Sequence, residues 1–115
     1  MNNIACIVVT YNRLELLKQC INALLHQSFN NFDIIVVNNG STDGTEKWLK
    51  ENPQIKFFTQ ENLGGAGGFH NGIKYAYQSG YDYFWIMDDD GISDRFCLEK
   101  LISVAKQGSQ YVAPL

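Results

Sequence analysis

The chain has no apolar run near the roughly 18 residues that a membrane-spanning helix needs. It also has no basic cluster: 9 Lys and Arg against 12 Asp and Glu leave a net charge of −3. That balance argues against a nucleic-acid partner, and the lack of a Lys/Arg-rich amphipathic stretch argues against membrane insertion. No basic segment followed by a long apolar one opens the sequence, so no secretory signal is expected. Cysteine is sparse. Cys6, Cys20 and Cys97 are odd in number, far apart and set in apolar surroundings, which reads as reduced core residues of a cytoplasmic protein. No internal repeat, low-complexity tract or linker divides the 115 residues, a length that suits one small domain.

What is present alternates. Ile4 to Thr10 is nearly continuous in apolar residues, as a central parallel strand is. Leu14, Leu17, Ile21 and Leu24 recur at helical spacing and predict a helix over about 13 to 26. Phe32 to Val37 predicts a second strand. The polar run from Asn38 to Gly44 follows it, and its Ser, Thr and Asp can cap a helix at about 43 to 50. Ile55 to Thr59 predicts a third strand. Glu61 to Gly68 is a glycine-rich loop, with a helix from Phe69 to Ser79 stopped by Gly80. Tyr83 to Met87 predicts a fourth strand; a helix over about 95 to 107 and a strand at 111 to 113 complete the pattern. The order βαβαβαβαβ predicts a three-layer α/β/α domain with a mainly parallel sheet. Ligands of such sheets lie beyond the carboxyl ends of the strands. Thr10-Tyr11-Asn12, Asn38-Asn39, the glycine loop and Asp88-Asp89-Asp90 all fall there.

The three consecutive acids are the sharpest chemical signal. Burying them would cost several kcal/mol each without a compensating cation. In an extended segment Asp88 and Asp90 share a side and Asp89 faces away. Two hard oxygen ligands at that spacing suit Mg²⁺ or Mn²⁺, with water or phosphate oxygens completing the shell. The plain alternative is a solvated acidic turn. An EF-hand loop fails, because Gly91 in sixth place would make Ile86 and Cys97 its end ligands. Asp88-Asp89-Asp90-Gly91 is similar to the motif of haloacid-dehalogenase-like phosphatases, in which Asp88 would be the nucleophile and Asp90 the acid/base. There the motif normally follows the first strand, and a Thr or Val stands where this chain has Ile92. The glycine loop matches neither phosphate cradle: His70 occupies the third position of a dinucleotide fingerprint, and Ile73 follows Gly72 where a P-loop has Lys. Gly64, Gly65, Gly67 and Gly68 still allow close backbone approach to a ligand, or close packing of helix on sheet.

Four segments together carry a resemblance. They are Val8 to Arg13, Ile35 to Thr45, Asn62 to Phe69 and Met87 to Asp90. In this order they resemble the nucleotide-binding half of family-2 glycosyltransferases, which have the Rossmann-like GT-A fold. The glycine loop with a triple Asp resembles the galactofuranosyltransferase and rhamnosyltransferase branch. The resemblance implies a metal-dependent, inverting transfer of sugar from a UDP- or dTDP-sugar to a glycan or lipid-linked acceptor. It implies work at the cytoplasmic membrane face, in cell-surface polysaccharide synthesis. Thr10, Tyr11 and Asn12 would line the base and ribose pocket. Asn39 matches a position that often holds an Asp bonding the uracil or thymine ring. Gly64 and Gly65 would run beside the diphosphate or sugar, with His70 where many relatives have Arg. Asp88 and Asp90 would hold Mn²⁺ or Mg²⁺ and through it the diphosphate, and Asp89 would touch the ribose or donor sugar. The family's catalytic base lies in the second half of its catalytic domain, so residues 1–115 are expected to be a truncated donor-binding part, inactive in transfer by itself. An open edge after 110 to 113 would favour self-association into a homo-oligomer. A nucleotide-binding module without turnover is the further alternative.

Overall fold

The computed structural model describes residues 4–28, 31–62 and 64–89. Its elements run β1 (Ile4–Thr10), α1 (Leu14–Leu25), β2 (Asp33–Asn38), α2 (Thr45–Lys50), β3 (Lys56–Thr59), α3 (Gly64–Gln78) and β4 (Tyr83–Asp88). The four strands form one sheet in the order β3-β2-β1-β4, with every pairing parallel. The helix expected at 95–107, the strand at 111–113, Cys97 and Asp90 lie outside the described residues.

Both faces of the sheet are covered, as nearly unbroken apolar strands require. Alternate residues of each strand supply the two faces. On one face Cys6, Val8, Val36, Trp85 and Met87 pack with Leu17, Cys20, Ile21 and Leu24 of α1 and Leu49 of α2. On the other, Ala5, Ile7, Val9, Ile35 and Val37 meet Ala76, Phe69 and Ile73 of α3. The Cys6 and Cys20 thiols are buried in the first core, both directed at Met87 Sδ, at 3.9 and 3.7 Å. Among the described residues no helix is long and apolar enough to cross a membrane.

One expectation changes. The glycine-rich segment is not a loop leading to a helix at Phe69, because α3 already begins at Gly64. Glycine disfavours a helix interior by about 1 kcal/mol relative to Ala. Packing overrides that preference here. A Cβ on Gly68 would come within 2.6 Å of Val9 Cγ1, and one on Gly72 within 2.6 Å of Ile7 Cγ2. The missing side chains let α3 lie directly on β1. Gly64 itself has φ +74°, a left-handed conformation that glycine adopts at no steric cost.

The parallel register brings the carboxyl ends level. Thr10 stands opposite Asn38, Asn38 opposite Thr59, and Val9 opposite Asp88. The chain turns from β1 toward β2 and β3 on one side and reaches β4 on the other, so a crevice opens between β1 and β4. That is the switch point at which open α/β sheets bind ligands.

Candidate functional site

The loops at this rim are held by one another before any ligand arrives. Asn12 sits at φ 50°, a left-handed conformation that Asn tolerates better than most residues. Its Oδ1 accepts from the Thr42 N–H at 2.7 Å, and its own N–H donates to Ser41 Oγ at 3.0 Å. Asp43 joins two helix starts: Oδ2 accepts from the Leu14 N–H (3.1 Å) and Oδ1 from the Thr45 N–H (3.2 Å). Burial pushes the Asp43 carboxyl up, but the Thr45 hydroxyl, which donates to Oδ1, and these backbone hydrogen bonds outweigh it and hold the group below its ordinary value. Each bond satisfies an N–H that the first turn of a helix leaves without a partner. Asn38 adds a third tie, donating from Nδ2 to Thr59 Oγ1 (3.3 Å) and accepting from the Ser41 N–H (3.1 Å).

A cavity of about 240 Å³ opens at the crevice. Thr10, Tyr11, Asn39 and Asn62 line its β1 and β2 side, and Arg13, Asp88 and Asp89 the side toward β4. Complete ligand sites usually enclose about 300–1,000 Å³, so this volume holds part of a nucleotide-sized ligand. Tyr11 is 45% exposed and offers its ring at the cavity. Asp89 is buried, and its charge is answered from two directions. Thr10 Oγ1 donates to Asp89 Oδ2 at 2.9 Å, and Arg13 Nη1 lies 3.3 Å from Asp89 Oδ1. Asp88, one residue earlier, is exposed at the end of β4.

Thr10, Tyr11, Asn39, Asp88 and Asp89 therefore converge on one cavity. Asn12 stands beside it with its side chain spent on the Thr42 backbone. Gly64 opens α3, and its carbonyl accepts from Asn39 Nδ2 at 3.0 Å. Gly65 belongs to the first turn of α3; His70, farther along the same helix, is exposed and does not line the cavity. Asp90 lies outside the described residues. Sequence reasoning gave no role to Arg13, Gln60 or Asn62. Arg13 could have been found as a cation placed immediately after the Tyr11-Asn12 strand end. Asn62 stood at the head of the resembling segment Asn62 to Phe69 without a role of its own, and Gln60 carried no signal beyond polarity.

A divalent cation is tested here by donor chemistry. Among the described residues no three His, Cys, Asp or Glu side chains gather to hold a metal ion. Mg²⁺ and Mn²⁺ do not need such a cage, since they commonly sit on one or two carboxylates and take phosphate and water oxygens for the rest. The exposed Asp88 carboxylate on the cavity wall fits that demand.

Comparison with known proteins adds identity to this geometry. The family described as Glycosyl transferase family 2 matches residues 5–114. The galactofuranosyltransferase GlfT1 of Mycolicibacterium smegmatis is 34% identical over 105 residues, covering 89% of this chain and 35% of the relative. The poly-beta-1,6-N-acetyl-D-glucosamine synthase of Staphylococcus aureus is 32% identical over 99 residues, covering 83% of this chain and 23% of the relative. The chain thus spans about a third or less of the length of these relatives. Among solved structures, S. aureus TarS superposes with a TM-score of 0.76 at 22% identity, over 91% of this chain and 20% of that one. The mannosyltransferase PcManGT of Pyrobaculum calidifontis, in complex with GDP-Man and Mn²⁺, gives a TM-score of 0.64 at 23% identity, over 81% of this chain and 29% of that one. These likenesses establish a shared GT-A fold.

Proposed function

Because the chain belongs to glycosyltransferase family 2, we propose that it forms the donor-binding part of a metal-dependent, inverting glycosyltransferase that uses a UDP- or dTDP-sugar. The acceptor is a glycan or lipid-linked acceptor in cell-surface polysaccharide synthesis. The observation that carries this reading is the crevice between β1 and β4, where an exposed Tyr ring, the amides of Asn39 and Asn62 and the acidic end of β4 face one cavity. Support comes from relatives named as a galactofuranosyltransferase and a polysaccharide synthase, and from a TarS structure in complex with UDP-GlcNAc that shares the fold. The family match also removes the aspartyl-phosphatase alternative.

The residues divide the work by chemistry. The Tyr11 ring supplies a face for the base. Thr10 spends its hydroxyl on Asp89, which fixes the acidic turn against β1. Arg13 offsets the Asp89 charge, so Asp88 is the carboxylate left to face solvent and ligand. Asp88 and Asp90 would hold a divalent cation, which supplies positive charge beside the diphosphate. In transfer, the acceptor hydroxyl attacks the anomeric carbon, the bond from sugar to diphosphate breaks, and the hydroxyl proton passes to a carboxylate base. A single displacement of this kind inverts the anomeric centre.

Calorimetric titration of UDP and dTDP, with Mn²⁺ and then with chelator, tests the reading. Binding that needs Mn²⁺ and disappears in Asp88→Ala is expected. Binding indifferent to both would sink it.

A further inference from the structure

Three elements bring sulfur to one point. Cys6 of β1 and Met87 of β4 share a sheet face, one strand apart and two residues out of register, and Cys20 of α1 lies over them. Cys6 Sγ is 3.9 Å and Cys20 Sγ 3.7 Å from Met87 Sδ. Cys20 Sγ also lies 3.9 Å from the Asp88 carbonyl oxygen. Cys6 and Cys20 are 0% exposed and Met87 is 4% exposed. A thioether is a weak acceptor and a thiol a weak donor. Two S–H groups aimed at one Met sulfur from these distances are therefore poorly bonded.

The same geometry suits a metal ion better than it suits protons. An ion at the centre of three sulfurs, with metal–sulfur bonds of about 2.3 Å, holds them about 4.0 Å apart. The Cys6–Met87 and Cys20–Met87 edges already lie within about 0.3 Å of that spacing. Thiolate and thioether donors select soft cations such as Cu⁺. Zn²⁺ in a closed site takes four ligands, and these three sulfurs leave it one short. Mg²⁺ and Mn²⁺ want oxygen. His, Cys, Asp and Glu side chains alone form no group of three among the described residues, so the Met87 thioether is what completes the set.

We propose that Cys6, Cys20 and Met87 form a three-sulfur site for a soft monovalent cation, Cu⁺ foremost and Ag⁺ by the same chemistry. The site is separate from the donor cavity: Met87 faces the core, and Asp88, the next residue, faces the cavity. On binding, one thiol loses its proton to the buffer and forms the metal–thiolate bond. The other thiol and the thioether bond through lone pairs. One positive charge replaces another, so the buried site stays neutral, and no electron is transferred. Burial, with the charge of Cys20 added, pushes the Cys6 thiol well up, so Cys6 keeps its proton until a metal displaces it. The bound ion ties β1, β4 and α1 together.

The test is anaerobic titration of Cu⁺ into the whole chain against a competing chelator, with the copper shell read by X-ray absorption and the melting temperature followed. The wild type is expected to take one Cu⁺ in an all-sulfur shell of three, to keep it in excess Mn²⁺, and to melt at a higher temperature. Cys97→Ser should behave like the wild type. Met87→Leu, which conserves core volume, should lower the affinity about tenfold and leave two sulfurs in the shell. Cys20→Ala should lower it about a hundredfold. No chelator-resistant Cu⁺, a shell containing nitrogen or oxygen, a melting temperature that falls, loss of binding in Cys97→Ser, or an affinity unchanged in Met87→Leu each overturns the proposal. None of these outcomes bears on nucleotide binding. If circular dichroism shows Cys20→Ala unfolded, Met87→Leu decides alone.

Discussion

The two rims of the sheet use almost the same three groups to opposite ends. At the amino rim, the Asp33 carboxylate accepts from the Tyr81 hydroxyl and pairs with Lys56 Nζ at 3.3 Å, while Lys56 also donates to Tyr81 Oη at 2.7 Å. At the carboxyl rim, the Asp89 carboxylate accepts from the Thr10 hydroxyl and pairs with Arg13 at 3.3 Å. Carboxylate, hydroxyl and cation recur. Two things differ. The Asp33 side chain is 53% exposed, whereas that of Asp89 is 5% exposed. Asp89 also has an acidic neighbour, Asp88, on the cavity wall. A self-satisfied triad in water is a latch. The same triad buried beside a surplus carboxylate becomes the floor of the cavity at which we propose that a cation binds.

Breaking the buried triad should cost most. Asp89→Ala leaves the Thr10 hydroxyl and Arg13 without their acceptor, and is expected to lower stability by about 2–3 kcal/mol in urea unfolding. It should weaken nucleotide binding as well. Gly72→Ala comes next, at about 2 kcal/mol, because its Cβ meets the stiff, β-branched Ile7 and Val37. Asp33→Asn at the exposed latch should cost less than about 1 kcal/mol. Asp88→Asn should change stability by less than about 0.5 kcal/mol while removing Mn²⁺-dependent nucleotide binding. Should Asp33→Asn prove as costly as Asp89→Ala, burial does not separate the rims.

Titration sharpens the comparison further. The Tyr81 hydroxyl, with Lys56, holds the Asp33 carboxyl below its ordinary value. A depressed carboxyl stabilises the fold above its unfolded pKa, about 3.9, and the contribution fades as pH falls through the folded value. The Tyr81 contact raises Lys56, and burial together with Asp33 raises Tyr81. Raised groups stabilise below their unfolded values, about 10, and lose that contribution as pH rises through the folded ones. The latch should therefore hold between these limits and loosen outside them. Subtracting the thermal melts of Asp33→Asn from those of the wild type across pH should reveal this small window.

Much of the fold was legible because the strands are buried on both faces. Ile4 to Thr10 reads as a strand from its apolar continuity alone, and β1 spans those residues. The parallel order, the two covered faces and the polar rim followed from alternation. The loop boundary at Gly68 misled because the reason for helix there is tertiary: close packing of helix on sheet was one reading, but nothing local announces that Val9 and Ile7 of β1 lie against Gly68 and Gly72. Asp89 was expected beside the ribose or donor sugar; it does line the cavity, but its contacts with Thr10 and Arg13, 79 and 76 residues away in sequence, carried no local signal. The hydrogen bonds from Gln60 Nε2 to Asn39 Oδ1 and from Asn39 Nδ2 to Asn62 Oδ1 were invisible for a related reason, since the direction of a carboxamide depends on who faces it.

The bare contact between α3 and β1 also limits heritable change. Codons for Gly68 and Gly72 cannot drift even to Ala unless Val9 or Ile7 shrinks in the same lineage, so these pairs should vary together or not at all. The exposed side of α3, which carries His70 and Tyr77, is under no such bond. Diversification of this chain should therefore accumulate on the outward face of one helix, while its inward face stays frozen.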